Sequence, residues 1–290
     1  MSKTDPRITL DDLRHRLDAL RRDGSPQLAT LAGWVLTHPQ EMAFHSVRGL
    51  ADLAQVNANT VFRLSRALGF AGFDECRQAF QGAVRQGSGL YASRAERLRG
   101  AGGGALLDMV RDAAHANTDA LFSESNRARI EAAADLMLAA RRIHCVGVRS
   151  CLSLAHYLAY SGRMAFANFA PRISEPGDLF DVMSDTGPED VVIPITFSLY
   201  SAETVRAHEL AVRRGARIVA ITDSLASPVA SGAEVVFLPP MDGPQTLPSL
   251  GAAFTLAETL VAQMVARSPD APNSIAAFEA RLLDSGAYVT

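Results

Sequence analysis

Two groups of polar side chains follow apolar runs in the second half of this chain, where an α/β backbone would leave a strand and enter a helix. The first is Arg149-Ser150-Cys151, after RIHCVGV. Gly147 permits a tight turn there. Ser150 and Cys151 then open a helix whose free N–H groups and dipole attract an anion, and Arg149 adds a formal positive charge. The second group is Thr196, Ser198, Tyr200 and Ser201, within TFSLYSAETV. Hydroxyls around a helix start make a phosphate cradle without lysine. The same Ser and Thr also serve as ordinary helix caps. Proton-transfer chemistry would need a general base, and His156 and Glu258 are the candidates, both on expected helices. No lysine lies in this half of the chain, which rules out a Schiff base there. We assign no catalytic residue.

A different chemistry is written into SVRGLADLAQVNANTVFRLSRALGF, residues 46–70. Ser46 caps a first short helix, and Leu50, Leu53 and Ala54 form its apolar face. Asn57 caps a second helix, in which Val61, Leu64 and Leu68 recur at i, i+3 and i+7. Asn57, Asn59, Thr60, Arg63 and Arg66 are left near the start or on the outer face of that helix. A helix-turn-helix reads double-stranded DNA in this way: early residues of the second helix reach base edges, and arginines hold phosphates. A helical hairpin that only packs would share the pattern. The turn position usually filled by Gly carries Gln55.

The surrounding elements must hold these groups. Residues 8–86 read as helical, with Leu10, Leu13, Leu17 and Leu20 as a stripe, Pro26 starting the next helix, and Trp34 and Phe44 as core anchors. QGSG and GAGGG place a linker at 87–104, with a short helix between them. From 106 to 140 the period is helical again. After that RIHCVGV, VVIPITF, RIVAITD and EVVFLP alternate with helical stretches at 150–164, 202–214 and 249–266. Short buried strands alternating with helices predict a doubly wound parallel sheet over about 105–285. Ligands of such sheets sit at the carboxyl ends of the strands, so the loops after Val148, Phe197 and Thr222 are the ones to inspect. The expected fold is an all-α domain over 1–86 followed by an α/β domain over 105–290.

Composition agrees. The chain has 290 residues and 48 % apolar side chains, enough for two domains. Its net charge of −3 is unevenly divided: residues 1–86 hold 11 Lys+Arg and 9 Asp+Glu, a net of +2, and the remainder holds 17 and 22, a net of −5. A mildly positive head on an acidic body fits DNA binding confined to the head. Cys76, Cys145 and Cys151 form no even framework, which fits free thiols in a reducing cytoplasm. The histidines show no zinc spacing, so no metal or cofactor is expected. The first residues are polar, without a secretory pattern, and the apolar stretch 247–265 carries Glu258 and Gln263, as a core helix rather than a membrane span would.

TVFRLSRALGFAGF, residues 60–73, resembles the Thr-Val, Arg, Leu-Gly-Phe-x-Gly-Phe signature of RpiR-type bacterial transcriptional regulators. RGARIVAITDSLASPVASGAEVVF, residues 214–237, is similar to their SIS (sugar isomerase) segment. The resemblance spans nearly the whole chain. It implies that Thr60, Arg63 and their neighbours contact operator DNA. It also implies that a phosphorylated sugar or related anionic metabolite binds the SIS domain and alters DNA affinity; because one short helix reads only a few base pairs, a homodimer or tetramer is expected. Ser150 and Cys151 fall on the family's first Ser-bearing loop, and Thr196, Ser198 and Ser201 on its Ser-x-Ser-Gly-x-Thr loop. Two glycines of that pattern are replaced, by Arg149 and by Leu199, with Tyr200 following. A sugar-phosphate isomerase or lyase, or a SIS domain used only for dimerisation, are the alternatives.

Overall fold

The computed structural model describes residues 10–87, 90–99, 102–171, 173, 178–225 and 227–288. The chain divides into two compact units, Met1–Ala101 with Pro244–Leu247, and Gly102–Gly243 with Pro248–Thr290. Ser88, Gly89, Gly100 and Ala101, part of the expected linker, lie outside the described residues.

The first unit is helical: α1 (Leu10–Asp23), α2 (Pro26–Thr37), α3 (Pro39–Phe44), α4 (Val47–Leu53), α5 (Ala58–Ala67), α6 (Phe73–Gly87) and α7 (Leu90–Leu98). The helical stripes converge on one core, in which Leu13, Leu17, Leu31, Val35, Leu50, Val61, Leu64 and Phe80 are buried. Trp34 and Phe44 pack at its margin rather than its centre. Pro26 occupies the first turn of α2, where its missing N–H removes no bond. Ala51 is buried and small, so α4 and α5 cross closely. The turn between them passes through Gln55 at φ 52°. Val56 N–H then donates to Ala51 C=O at 2.9 Å, closing the end of α4. A left-handed residue at this place is the usual helix stop, and here it is made without glycine.

The second unit runs α8 (Gly103–Leu121), α9 (Glu124–Ala139), β1 (Arg142–Val146), α10 (Cys151–Ala165), α11 (Asp178–Ser184), β2 (Asp190–Pro194), α12 (Ala202–Arg213), β3 (Arg217–Ile221), a single 3-10 turn at Pro228–Ala230, β4 (Val235–Phe237), α13 (Gly251–Arg267) and α14 (Ala271–Asp284). The helical stretch expected over 106–140 is thus two helices, broken at Phe122–Ser123. The strands pair in parallel in the order β1-β2-β3-β4.

Alternate residues feed two cores. Ile143, Ile193, Val219 and Phe237 pack with α9, α10 and α13, while Val192, Ile218 and Ala220 pack with α11 and α12. Both faces are covered, which is why the strands read as continuous apolar runs.

Phe169 adds a rudimentary strand on the free edge of β1. It bridges Ile143 in parallel, with Ile143 N–H donating to Asn168 C=O at 2.8 Å and Ala170 N–H to Ile143 C=O at 2.9 Å. The chain therefore leaves β1 towards one side and later crosses to β2 on the other. The connections diverge between β1 and β2, and a crevice at their carboxyl ends is the natural ligand position of such a sheet.

Candidate functional site

In the first unit the candidates gather on α4 and α5. Ser46 Oγ accepts from Gly49 N–H at 3.2 Å, and Asn57 Oδ1 accepts from Thr60 N–H at 2.9 Å, so both caps form as the residue types dictate. Thr60 faces inward and is 1 % exposed. Its hydroxyl lies 3.1 Å from Gln27 Oε1 and 3.0 Å from Asn57 Oδ1, fastening the start of α5 to α2. Asn57 Nδ2 also donates to Gln27, at 3.3 Å.

Asn59, Arg63 and Arg66 are exposed on the outer face of α5, and Arg63 Nη2 donates to Ser25 Oγ at 3.3 Å. Phe62 shares that face and is 47 % exposed. Positions 59, 62, 63 and 66 are i, i+3, i+4 and i+7, one continuous helical stripe. Phe62 was legible only as a position off the Val61–Leu64–Leu68 core register.

In the second unit the loops after β1 and β2 meet at the crevice. A Cβ on Gly147 would stand 2.7 Å from Cys151 O, so only glycine lets the chain enter α10 this closely. Arg149 follows at φ 53° and Leu199, in the opposing loop, at φ 64°. These are the two positions where the resemblance expects glycine, and the glycine-type conformation is kept by residues that must strain to adopt it.

The Arg149 guanidinium crosses to the start of α12. Nη1 and Nη2 donate to Glu203 Oε2 and Oε1 at 3.0 and 3.1 Å, and Nη1 also donates to Ser201 Oγ at 3.1 Å. Ser201 Oγ donates to Glu203 Oε2 at 2.8 Å. The guanidinium, the backbone N–H of Glu203 and the Ser201 hydroxyl together hold the Glu203 carboxyl down at about 2.

Behind this pair the β2 loop is fastened from inside. Ser201 N–H donates to buried Thr196 Oγ1 at 3.0 Å, and Ser198 N–H donates to Asp223 Oδ2 at 2.8 Å. The Tyr200 hydroxyl lies close enough to the Asp223 carboxylate to favour its charged form. Burial raises the Asp223 pKa against these donors. Cys151 is buried, and desolvation raises its thiol against the lowering influence of the neighbouring Ser150 hydroxyl and Phe197 backbone. Ser150 itself is exposed.

The structure thus brings Arg149, Cys151, Thr196, Ser198, Tyr200 and Ser201 into one neighbourhood. Thr196 Oγ1 accepts from Ser201 N–H within the loop, and Ser201 Oγ is engaged by Arg149 and Glu203. Sequence reasoning missed Glu203 and Asp223. Asp223 directly follows the apolar strand run within RIVAITD, in a loop marked for inspection, and Glu203 stands in the first turn of α12. His156 is exposed on α10, and exposed Glu258 accepts from Tyr157 Oη at 3.0 Å.

Comparison with known proteins places both halves. Residues 24–87 match the family model of the rpiR-family helix-turn-helix domain, and 136–268 match that of the SIS domain. The chain is 24 % identical over 224 residues to the HTH-type transcriptional regulator HexR of Pseudomonas aeruginosa, covering 76 % of this chain and 75 % of that one. It is 26 % identical over 219 residues to the bifunctional protein glk of Paraburkholderia xenovorans, covering 73 % of this chain but only 32 % of that longer protein. The structure of the Vibrio vulnificus NanR protein complexed with ManNAc-6P aligns with a TM-score of 0.58 at 21 % identity, over 95 % of this chain and 100 % of that one, a likeness of fold.

Proposed function

This chain belongs to the RpiR-type helix-turn-helix regulators that carry a SIS domain, and we propose that it binds operator DNA through α5 and changes that binding when a small anion occupies the crevice between the β1 and β2 loops. The effector class we favour is a phosphorylated sugar or a related anionic metabolite. The observation that carries this reading is the Arg149 guanidinium, held by a left-handed turn at the divergence point of a parallel sheet. That NanR was solved with ManNAc-6P supports the same class of ligand for a chain of similar fold.

On the DNA side, Asn59, Phe62, Arg63 and Arg66 meet the groove, while Asn57 and Thr60 hold the helix that presents them. One helix of ten residues reads only a few base pairs. A symmetric homodimer reading two half-sites is therefore the assembly this function needs. An effector shifts DNA affinity only through its differential affinity for the arrangements of the two heads. We read the second unit as a sensor rather than a catalyst, acting in the cytoplasm. His156 and Glu258 are surface groups, and Glu258 is bound to Tyr157.

The test is thermal unfolding of the full chain against phosphosugars, neutral sugars and small carboxylates, paired with fluorescence anisotropy on operator DNA. An effector at ~100 times its Kd adds about 2.7 kcal/mol of stability. A phosphosugar that stabilises the chain and changes DNA affinity is the expected result. Stabilisation by neutral sugars alone would overturn the anion reading, and no response to any compound would leave the second unit as a dimerisation module.

A further inference from the structure

We infer that Glu203 is a built-in occupant of the anion seat on Arg149, and that an effector's anionic group binds by taking its place. This rests on the reading of the crevice as the effector site. Two guanidinium nitrogens face two carboxylate oxygens at 3.0 and 3.1 Å, the fork-to-fork arrangement that a dissolved carboxylate or phosphate would itself adopt on arginine. The partners come from opposite sides of the crevice, Arg149 from the β1 loop and Glu203 from the first turn of α12, so the pair spans its mouth.

The exchange needs no opening of the core. The Arg149 and Glu203 side chains are 66 % and 44 % exposed, and an exposed ion pair is weak and open to competition from solution. When Glu203 swings out, Arg149 keeps its place beside Ser201 Oγ, 3.1 Å away, and both then face the incoming anion. Glu203 stays ionised throughout the neutral range, so its proton does not open the seat. The other nearby carboxyl, Asp223, accepts from Ser198 N–H behind the loop at 2.8 Å.

Glu203 therefore sets the affinity threshold that every anion must pass. Removing its charge strengthens binding by the same factor for any anion that uses Arg149, because the same competitor has been removed.

The experiment is isothermal titration of the full chain, at constant ionic strength, with inorganic phosphate and with glucose 6-phosphate. Wild type is compared with Glu203→Gln and Arg149→Ala, and circular dichroism checks that each variant is folded. Glu203→Ala serves as a second neutral variant. Glu203→Gln is expected to bind both probes about two- to fivefold more tightly, and Arg149→Ala to bind neither. Unchanged or weaker binding in both Glu203 variants, with binding still abolished in Arg149→Ala, overturns this inference and leaves the crevice reading intact. Full binding of both probes by Arg149→Ala overturns the crevice reading itself. So does the absence of binding in wild type and both Glu203 variants.

Discussion

Arg149 and Leu199 hold the same left-handed backbone conformation, at φ 53° and 64°, in the loops that follow two neighbouring parallel strands. Gln55 does likewise at φ 52° in the turn before α5. All three occupy places where glycine would be the unstrained choice, and all three lie at the regions read as functional. A non-glycine residue in this region costs of order 1 kcal/mol and persists only where its surroundings impose it.

Leu199→Gly exchanges that strain for a more flexible unfolded chain, so its stability is expected to stay within about 1 kcal/mol of wild type. Leu199→Val, β-branched in the same conformation, is expected to lose about 1–3 kcal/mol. Urea unfolding of the two variants distinguishes a retained left-handed turn from one that relaxes.

Asn57→Ala removes the cap of α5 and is expected to cost about 1 kcal/mol. Thr60→Val removes the buried hydroxyl that ties the start of α5 to Gln27 and Asn57, at about 1 kcal/mol. Both weaken DNA binding by loosening α5, so the slope of affinity against salt should not change. A reduced slope in Thr60→Val would mean that Thr60 meets phosphate after all.

Arg63→Ala and Arg66→Ala are expected to leave stability near wild type. Each should reduce the salt slope by about 1 if its guanidinium neutralises one DNA phosphate. Phe62→Ala is expected to weaken DNA binding at an unchanged slope, because an apolar ring meets thymine methyl groups and carries no charge. Anisotropy titrations at several salt concentrations separate the two classes.

Glu203 titrates at about 2 in the folded chain against an ordinary value of 4.5. A carboxyl held low in the folded state adds stability that is complete above its ordinary value and fades as pH falls from there towards 2. Carbon-13 NMR of the side-chain carboxyl is expected to show this low midpoint, and Arg149→Ala to return it upwards. A midpoint in the ordinary range in wild type would mean that the pair does not form in solution.

Gly147→Ala places a Cβ 2.7 Å from the Cys151 carbonyl, so the β1 loop has to shift. The expected loss is about 1–3 kcal/mol, together with a diminished effector response. A fully stable variant with a wild-type response would show that the loop tolerates that shift.

Much of this was readable from residue types and periods. The apolar register of α5, the caps Ser46 and Asn57, and the alternation of short apolar runs with helices follow from local preference and from the need to bury one face or two. These signals are carried by residues a few positions apart, so a linear reading captures them. The same reading put Thr60 beside Arg63 as a DNA contact, because it knows where a helix starts but not what packs against that start. Gln27, 33 positions earlier, turns Thr60 inward.

The crevice shows the same division. That polar loops follow two strands is plain in the sequence, and so is the replacement of two expected glycines. That Arg149 is answered by Glu203, 54 positions later, appears only when parallel pairing sets β1 beside β2. The position of the crevice depends on Phe169 adding to the free edge of β1, which a run of residues cannot announce. Local chemistry named the elements and the sign of the charge on their loops. Long-range packing chose which side chains meet, and so whether that charge waits open for a ligand or is already held by a carboxylate of the same chain.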